Sequence, residues 1–318
     1  MKVIFPNNKY KAKEIFIMKV SFIGLGVMGK GMALNLAKGA EEGGHEYLAC
    51  DTSPQALEDF QKEGLNTSSN IADATDSDYI FLCLPNLNIV KEVILGENGI
   101  LQHLKPGQTI VDFSTISYLG VQEIAEKCQD KGIDFLDCPI SGQQAKSMDG
   151  TLSIMCGGNE EVFNNIKPLL DKMGTQVLYM GGSGAGQLTK MINNSALNIC
   201  TASFSELMPV GVKLGLDPEK LGDVLMTATG SSFASKTLIP KVLEGNFEHG
   251  FSLDKAYKDM ESMYEVLVKN EIPLPTLNGA MQSYQHALQG GQRDYYKHAM
   301  IRFYEDMLGV KVRKEGVE

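Results

Sequence analysis

The sequence has no apolar run long enough to cross a membrane. A spanning helix needs about 20 apolar residues, and no segment of the 318-residue chain approaches that length. The chain also lacks an excess of basic residues, because 29 Lys and Arg face 39 Asp and Glu and give a formal net charge of −10. An acidic surface repels nucleic-acid phosphates and anionic lipids. We therefore expect no membrane and no nucleic acid among the partners.

Several catalytic and metal-binding motifs are also missing. The sequence contains no His-Glu-x-x-His, no Gly-x-Ser-x-Gly and no phosphate-binding loop of the NTPase type. Its five histidines lack the spacing of metal ligands, so no metal site is predicted. The six cysteines form no Cys-x-x-Cys pair. Most of them lie in apolar runs, which is typical of reduced, buried residues and favours a cytoplasmic location.

The length of 318 residues is about right for two domains. Residues 1–17 are rich in lysine, and a strand-like apolar run begins directly after Met18. They resemble no secretory signal, and we interpret them as an extension or an artefact of the assigned start. We expect a nucleotide-binding domain at residues 18–181 and a helical domain at 182–318.

Short apolar runs alternate with helical stretches in the first of these domains. Near-continuous apolar runs predict strands that are covered on both faces. The alternation predicts an α/β Rossmann-type, doubly wound parallel sheet whose strands all end at one edge. The predicted strands are 20–23, 47–50, 79–84, 109–112, 133–137 and 152–156, and the helices between them include 29–38, 54–63 and 119–131.

The pattern changes after residue 180. A glycine-rich junction at 181–186 is followed by helical stretches without an alternating strand pattern. The second domain is therefore predicted to be all-α, and its first helix would join the two domains. The predicted helices are 187–214, 218–227, 253–270, 275–289 and 294–308.

A glycine-rich motif follows the first predicted strand. Residues Gly24, Leu25, Gly26, Val27, Met28 and Gly29 match G-x-G-x-x-G. Gly24 permits the tight turn, Gly26 lets the backbone approach a pyrophosphate, and Gly29 allows close packing of helix and strand. The free N–H groups of the following helix would bind the phosphates. The strand–turn–helix context favours dinucleotide binding over incidental glycines.

An acidic residue, Asp51, ends the second predicted strand. Its carboxylate can accept hydrogen bonds from the adenosine ribose and would repel a 2′-phosphate. Thr52 follows it, so no arginine is adjacent to bind that phosphate, and NAD is favoured over NADP. Asp51 or Ser53 can also cap the next helix, and both interpretations can hold at once. Further candidates for cofactor contacts end later strands at the same edge: Leu84, Pro85 and Thr115.

A lysine and an asparagine lie near the start of the predicted joining helix. Lys190 and Asn194 are four residues apart and therefore share one helical face. Apolar neighbours and the positive end of the helix both lower the pKa of a lysine. Such an amine can exchange a proton with a hydroxyl during hydride transfer, while Asn194 holds the substrate or orients the amine. From spacing alone, a surface lysine and a surface asparagine remain the alternative.

A possible carboxylate-binding loop follows the strand at 133–137. Ser141 has a hydroxyl, and the N–H groups near Gly142 are further donors. A simple Pro/Gly turn fits the same residues equally well.

Several motifs occur together in the order and spacing of one family. They are residues 24–29, 137–142, 150–155, 184–186, 190–194 and 258–259. Together they resemble the β-hydroxyacid dehydrogenase family, which includes 3-hydroxyisobutyrate dehydrogenase and tartronate semialdehyde (2-hydroxy-3-oxopropionate) reductase. The resemblance covers residues 18–310. It implies NAD-dependent oxidation of a short hydroxy acid by a homodimer or homotetramer that associates through the helical domain.

The resemblance also implies roles for individual residues. Lys190 corresponds to the catalytic lysine, with Asn194 as its partner, and Ser141 and Gly142 match the substrate-carboxylate loop. Gln143 departs from the family, which usually has a glycine there, so that it would add an amide and bulk beside the substrate acid. The resemblance implies that Lys258 lies near the nicotinamide, that Thr115 contacts the cofactor, and that Ser231, Ser232 and Phe233 help to close the substrate pocket.

Two other functions remain open at this point. One is an NADPH-dependent glyoxylate, succinic semialdehyde or imine reductase, which cofactor preference would distinguish. The other is a non-catalytic nucleotide-binding sensor or scaffold. Lys190 and Asn194 argue against a sensor, because a protein that only binds nucleotide has no use for the pair.

Overall fold

The computed structural model describes residues 17–248 and 250–317, so nearly all of the predicted extension at 1–17 lies outside the described residues. The strands form one nine-stranded sheet. They are β1 (Lys19–Ile23), β2 (Glu46–Cys50), β3 (Thr67–Ser68), β4 (Tyr79–Leu82), β5 (Thr109–Asp112), β6 (Asp134–Asp137), β7 (Ile140–Ser141), β8 (Leu152–Gly157) and β9 (Gly174–Gly181).

Helices connect these strands and make up the remainder of the described chain. Between the strands lie α1 (Gly29–Glu42), α2 (Pro54–Lys62), α3 (Leu87–Leu95), α4 (Tyr118–Gln129), α5 (Gln144–Met148) and α6 (Glu160–Leu170). After β9 follow α7 (Ala185–Lys213), α8 (Pro218–Thr227), α9 (Phe233–Leu243), α10 (Leu253–Lys269), α11 (Pro275–Gln289) and α12 (Ile301–Leu308). Short 3₁₀ turns occupy Ile71–Asp76, Ile100–Gln102 and Lys297–Met300.

The strand order is β3-β2-β1-β4-β5-β6-β8-β7, with β9 paired to β8. The order reverses between β1 and β4, which is where open α/β sheets bind ligands beyond the carboxyl ends of their strands. The predicted α/β fold class, with an all-α part after it, is confirmed.

The prediction that all strands end at one edge is wrong for β8 and β9. β8 runs antiparallel to both β6 and β7, and β9 runs parallel to β8. The connection between β7 and β8 covers only residues 142–151. A parallel crossover needs about a dozen residues or more, so this short connection returns the chain in the opposite direction.

Apolar side chains cover both faces of the sheet, as the near-continuous strands predict. Successive residues of β4 alternate between the two cores, with Phe81 on one face and Ile80 and Leu82 on the other. Phe81 and Phe22 each stack on Phe113, with ring centroids 5.9 and 6.2 Å apart. This double covering holds the carboxyl ends of the parallel strands rigidly at one edge.

The helical part contains the 29-residue α7, which the sequence predicts. It also contains α9, which sequence analysis missed. α9 has Pro240 in its interior and only a short pattern of apolar residues, so the helix propensity of this segment is low. Burial of Leu238, Ile239 and Val242 stabilises it. The helix predicted at 294–308 begins only at Ile301, because a 3₁₀ turn precedes it. None of the described helices is both long and apolar enough to cross a membrane.

Candidate active site

The glycine-rich turn connects β1 to α1. Gly24 has φ 100°, and a side chain there would also collide with the Cys83 carbonyl oxygen at the end of β4. A side chain on Gly29 would collide with the Gly24 carbonyl oxygen. By contrast, no atom lies within 4 Å of a Cβ built on Gly26. The turn is therefore tightly packed at Gly24 and Gly29, whereas the space beside Gly26 is open for the approach of a pyrophosphate.

The start of α1 has no side-chain cap, although the Lys30 N–H donates to the Gly26 carbonyl at 2.8 Å. Met28, its N-cap, makes no side-chain capping bond, and the first turn contains no acidic residue. The first N–H groups of a helix need external acceptors, and phosphates are well suited to this positive end. The described residues of this turn therefore fit a dinucleotide.

Asp51 is positioned by the turn itself. Its Oδ2 accepts from the Leu25 N–H at 2.6 Å, and its Oδ1 accepts from the Ser53 N–H at 2.8 Å. Each carboxylate oxygen has further lone pairs, so the ribose hydroxyls can still donate to it. Ser53 caps α2 by accepting from Ala56 N, and Thr52 is exposed. The structural and cofactor-binding interpretations of this segment are thus compatible.

The predicted contacts at the later strand ends lie at the same edge. The Leu84 N–H donates to Ser114 Oγ at 2.8 Å, which ties the end of β4 to the end of β5. Leu84 is half-buried, and Pro85 and Thr115 are exposed.

A buried carboxylate fixes the start of α7 over this edge. Asp137, at the end of β6, accepts from the N–H groups of Gly184 at 2.7 Å and of Gln187 at 2.8 Å. The Gln187 amide in turn donates to the Ser114 carbonyl at 2.6 Å and accepts from the Ile116 N–H. Burial raises the pKa of Asp137 to about 6, although these backbone bonds lower it. Sequence analysis gave Asp137 and Gln187 no role, because their partners are distant along the chain.

Lys190 lies little more than one turn into α7. Its side chain is half-buried, and burial lowers its pKa, although the carboxylate of Asp259 acts in the opposite direction. In residues 17–248 and 250–317, no hydrogen bond or ion pair engages its amine. The amine is therefore partly shielded from bulk solvent, and no direct partner neutralises it.

Asn194 shares the helical face of Lys190, as predicted, and its Nδ2 donates to Asp259 Oδ2 on α10 at 2.8 Å. Burial raises the pKa of Asp259, while Asn194 and Lys190 lower it. The family resemblance implies a role for Lys258 but none for the adjacent Asp259. The structure instead brings Asp259 to the catalytic candidates.

The carboxylate-loop candidates lie between β7 and α5. Ser141 forms part of a short strand opposite Ser153 rather than a simple turn. Gly142 has φ 148°, and a Cβ there would lie 2.7 Å from Leu152. Gln143 is exposed and precedes α5 without capping it, so its amide is free to meet a ligand.

A contact that the sequence did not reveal ties this loop to the glycine-rich turn. Ser147 Oγ donates to the Met28 carbonyl at 2.6 Å. Asn35 Nδ2 donates to the carbonyls of Ser147 and Met148 at 3.0 and 3.1 Å. A Cβ on Gly31 would lie 2.6 Å from Ser147, so α5 and α1 approach closely only because Gly31 lacks one. A glycine inside a predicted helix was the available signal.

Comparisons with known proteins agree with this arrangement. Residues 19–181 match the family model for the NAD binding domain of 6-phosphogluconate dehydrogenase. Residues 184–304 match the model described as NAD-binding of NADP-dependent 3-hydroxyisobutyrate dehydrogenase. The chain is 36% identical to 2-(hydroxymethyl)glutarate dehydrogenase of Eubacterium barkeri over 93% of this chain and 97% of that protein.

The chain belongs to the β-hydroxyacid dehydrogenase family. It is also 31% identical to 2-hydroxy-3-oxopropionate reductase of Escherichia coli, over 93% of this chain and all of that protein. A solved structure of Mycobacterium tuberculosis 3-hydroxyisobutyrate dehydrogenase with L-serine superposes with a TM-score of 0.79 at 26% identity. That match covers 90% of this chain and 99% of the other.

As a β-hydroxyacid dehydrogenase, the protein is an oxidoreductase that uses NAD(P). The resemblance seen in the sequence is thereby confirmed. Within the described parts of the chain, no group of three His, Cys, Asp or Glu side chains is arranged to hold a metal ion.

Of the residues implied by the family resemblance, Lys258 and Ser232 have other partners in this structure, and Phe233 is exposed. Lys258 is exposed, and its Nζ lies 2.8 Å from Asp254 Oδ2. Ser232 caps α9 by accepting from the Ser235 N–H at 3.0 Å, and Phe233 is 69% exposed. No hydrogen bond joins these side chains to Lys190 or Asn194 in the described residues. Their roles at the cofactor and the substrate stay predictions.

Proposed function

We propose that this enzyme catalyses the reversible, NAD-dependent oxidation of a short β-hydroxy acid, with Lys190 as general acid/base. The observation that carries the proposal is the state of the Lys190 amine. It is half-buried, its pKa is lowered by burial, and it lies one helical turn from Asn194. An amine with a lowered pKa releases its proton more readily and can therefore exchange one with a substrate hydroxyl.

In oxidation, the neutral Lys190 amine accepts the proton of the substrate hydroxyl, and in reduction the ammonium returns it. NAD, held by the glycine-rich turn and Asp51, would supply the hydride acceptor for this step. Asn194 orients the hydroxyl, and its hydrogen bond to Asp259 keeps its amide from rotating.

The substrate carboxylate is proposed to bind the loop after β7. Ser141 Oγ and the N–H groups of Gly142 and Gln143 are its donors. Because the whole chain has a net charge of −10, these local donors rather than the overall field must attract an anion. The tie between Ser147 and Met28 fixes the distance from this loop to the cofactor turn.

The names of the relatives suggest one shared substrate group. 2-(Hydroxymethyl)glutarate, 3-hydroxyisobutyrate and glycerate, the reduction product of 2-hydroxy-3-oxopropionate, all contain HOCH2–CHR–COO−. We propose this group for the substrate, with a substituent R that meets Gln143. The exposed amide of Gln143 favours a polar substituent.

NAD is the proposed cofactor because the carboxylate of Asp51 faces the turn where the adenosine ribose would bind. An NADPH-dependent aldehyde-acid or imine reductase is the alternative, and one matching family model is described as NADP-dependent. Comparison of kcat/KM for NAD and NADP tests this directly. The exposed Thr52 offers a gain-of-function check: Thr52→Arg should raise kcat/KM for NADP, whereas the matched neutral variant Thr52→Gln should not.

A homodimer or homotetramer is proposed through the helical part. Leu207 and Val210 are exposed on α7, and Leu214, which caps the end of this helix, is 79% exposed. Exposed apolar side chains grouped in this way are typical of an interface. Light scattering should find an oligomer that Leu214→Glu weakens; a monomeric wild-type protein would contradict the proposal. The six free cysteines support the proposed cytoplasmic location.

A substrate screen tests the catalytic proposal as a whole. Formation of NADH is measured with 3-hydroxyisobutyrate, glycerate, 3-hydroxypropionate, 4-hydroxybutyrate, serine and 2-(hydroxymethyl)glutarate. We expect turnover with acids that contain the shared group and little with 4-hydroxybutyrate, whose hydroxyl is one carbon farther from the carboxylate. NAD binding without turnover of any acid would favour the sensor or scaffold.

A further inference from the structure

A lysine lies beside the loop that is proposed to bind the substrate carboxylate. Lys146 is in the middle of α5, five residues after Ser141. The segment from residue 140 to residue 151 contains no other Lys, Arg or His. The donors already assigned to the first carboxylate, the Ser141 hydroxyl and the N–H groups of Gly142 and Gln143, are uncharged. Lys146 is therefore a cationic group that the proposed function has not yet used.

The stem of Lys146 lies against Gly142. A Cβ built on Gly142 would be 3.1 Å from Lys146 Cβ and 3.2 Å from Lys146 Cδ. The lysine stem thus covers the position that a side chain at residue 142 would occupy. Nζ is only two bonds beyond Cδ, so the ammonium group stays close to the loop at 141–143.

The backbone of α5 is fixed on both sides of Lys146. The next residue, Ser147, is fully buried, and its Oγ and carbonyl bond to Met28 and Asn35 of the cofactor-binding segment. The Lys146 carbonyl itself accepts from the Thr151 N–H at 2.9 Å. The position of the lysine is therefore set relative to both the substrate loop and the cofactor turn, and only the end of its side chain can move freely.

The amine of Lys146 has no protein partner in the described parts of the chain. Across residues 17–248 and 250–317, no acceptor forms a hydrogen bond with its Nζ, and no carboxylate lies within 4 Å. Lys258, in contrast, is paired with Asp254. Lys146 is also exposed, so its charge is accessible to a ligand that enters from solvent.

We propose that Lys146 binds a second carboxylate of the substrate, so that the preferred substrate is a dicarboxylate in which the substituent R of HOCH2–CHR–COO− ends in COO−. This inference rests on the proposed function of the loop at 141–143. The net charge of −10 repels a dianion more strongly than a monoanion, and a local cation offsets that repulsion. Lys146 determines specificity and takes no part in proton or hydride transfer.

The test compares two substrates that differ by one charge: 2-(hydroxymethyl)glutarate and its 5-amide, which replaces the carboxylate of R by a carboxamide of nearly the same shape. The wild type should oxidise the dianion with a kcat/KM about fivefold higher, the upper end for an ion pair that water can reach. In Lys146→Met the ratio should fall to about one, through a loss for the dianion alone. An unchanged ratio would overturn the inference. An equal loss for both substrates would do so too, because Lys146 would then bind the carboxylate that they share.

Three further variants separate the charge of Lys146 from other effects. Lys146→Arg should keep the preference for the dianion, and Lys146→Glu should reverse it. Lys127→Met, on an exposed face of α4, removes the same charge at a distant site and should leave the ratio unchanged. A loss of preference in Lys127→Met as large as in Lys146→Met would assign the effect to the overall field and overturn the inference.

A binding measurement separates this inference from the proposed function, because it needs no turnover. The Kd values of 2-methylglutarate and its 5-amide for the enzyme–NADH complex are measured by NADH fluorescence. The wild type should bind the dianion more tightly, and this preference should shrink between about 0.05 and 0.5 M KCl and be absent in Lys146→Met. A wild type that binds both ligands equally well would contradict the inference.

The two measurements together identify which proposal fails. A binding preference that depends on Lys146, in an enzyme that oxidises no hydroxy acid, would support the contact and reject the proposed function. Turnover of both substrates with the same ratio in wild type and Lys146→Met would reject the role of Lys146 alone.

Discussion

Two clusters of buried and half-buried polar groups meet α7 at neighbouring positions, and their hydrogen-bonding groups are satisfied to different degrees. At the start of the helix, both oxygens of Asp137 accept backbone N–H groups, and the Gln187 amide uses both its donor and its acceptor. Farther along, Asn194 donates to Asp259, but Lys190 has no hydrogen-bond partner in the described residues. We call the first group the junction cluster (Asp112, Asp137, Gln187) and the second the amine cluster (Lys190, Asn194, Asp259).

The difference indicates what each cluster does. Asp137 and Gln187 are fully hydrogen-bonded, and a buried network of this kind fixes one arrangement of the backbone; the two residues fix α7 to the ends of β5 and β6. Unpaired buried groups are unfavourable and persist where a ligand or a reaction uses them. We therefore expect changes in the junction cluster to alter stability and changes in the amine cluster to alter turnover.

The largest expected effect is a pH dependence of stability that arises from Asp112. Burial raises its pKa from 3.8 to about 7, and its Oδ2 has no partner in the described residues. A raised carboxyl pKa means that the folded state binds the proton more tightly, so stability falls as pH rises from 4 to 7. In Asp112→Asn this loss should be absent, a difference of roughly 3–4 kcal/mol across the window.

Urea unfolding at several pH values measures this difference. The other titrating groups, including Asp137, are common to both proteins, so their contribution cancels in the comparison. If the stability difference between Asp112→Asn and wild type does not grow between pH 4 and pH 7, folding does not raise the pKa of Asp112, and the prediction is wrong.

The second prediction concerns Asp137. Asp137→Ala leaves the N–H groups of Gly184 and Gln187 buried without an acceptor, and we expect a loss of about 2–3 kcal/mol in the free energy of unfolding. Asp137→Asn keeps one acceptor oxygen and should lose less. Chemical denaturation measures both variants. Equal stability of Asp137→Ala and the wild type would refute the structural role of the junction cluster.

The smallest expected effect concerns Asn194, where we expect a change in turnover rather than in stability. Asn194→Ala should lower kcat/KM 10- to 100-fold, about 1.4–2.7 kcal/mol of transition-state stabilisation, and change the free energy of unfolding by less than about 1 kcal/mol. Asn164→Ala, on an exposed face of α6, serves as the matched control. A large loss of stability without a loss of kcat/KM in Asn194→Ala would remove the distinction between the clusters.

Local sequence patterns predicted much of the fold. The glycines at 24, 26 and 29 are informative because strand, turn and helix are adjacent in the chain. The spacing of Lys190 and Asn194 likewise defines one helical face directly. By contrast, the reversal of β8 depends on the length of the connection at 142–151, and α9 depends on burial rather than on propensity.

The rest of the candidate site arises from contacts between distant segments. Asp259 lies 69 residues beyond Lys190 in the chain, so no local pattern joins them. Ser147 contacts Met28 across 119 residues. Such contacts follow from tertiary packing, which is why sequence analysis assigned the neighbouring Lys258 a role and overlooked Asp259.

The central claim is that the Lys190 amine carries the proton in hydride transfer. Single-turnover formation of NADH by wild type and Lys190→Met, across pH and with the best substrate of the screen, tests it most directly. We predict a wild-type rate that rises with pH to a plateau, and a variant rate that is about 10³-fold lower without that rise, while the Kd for NAD is unchanged. A Lys190→Met enzyme that keeps the wild-type rate and pH dependence would contradict the account.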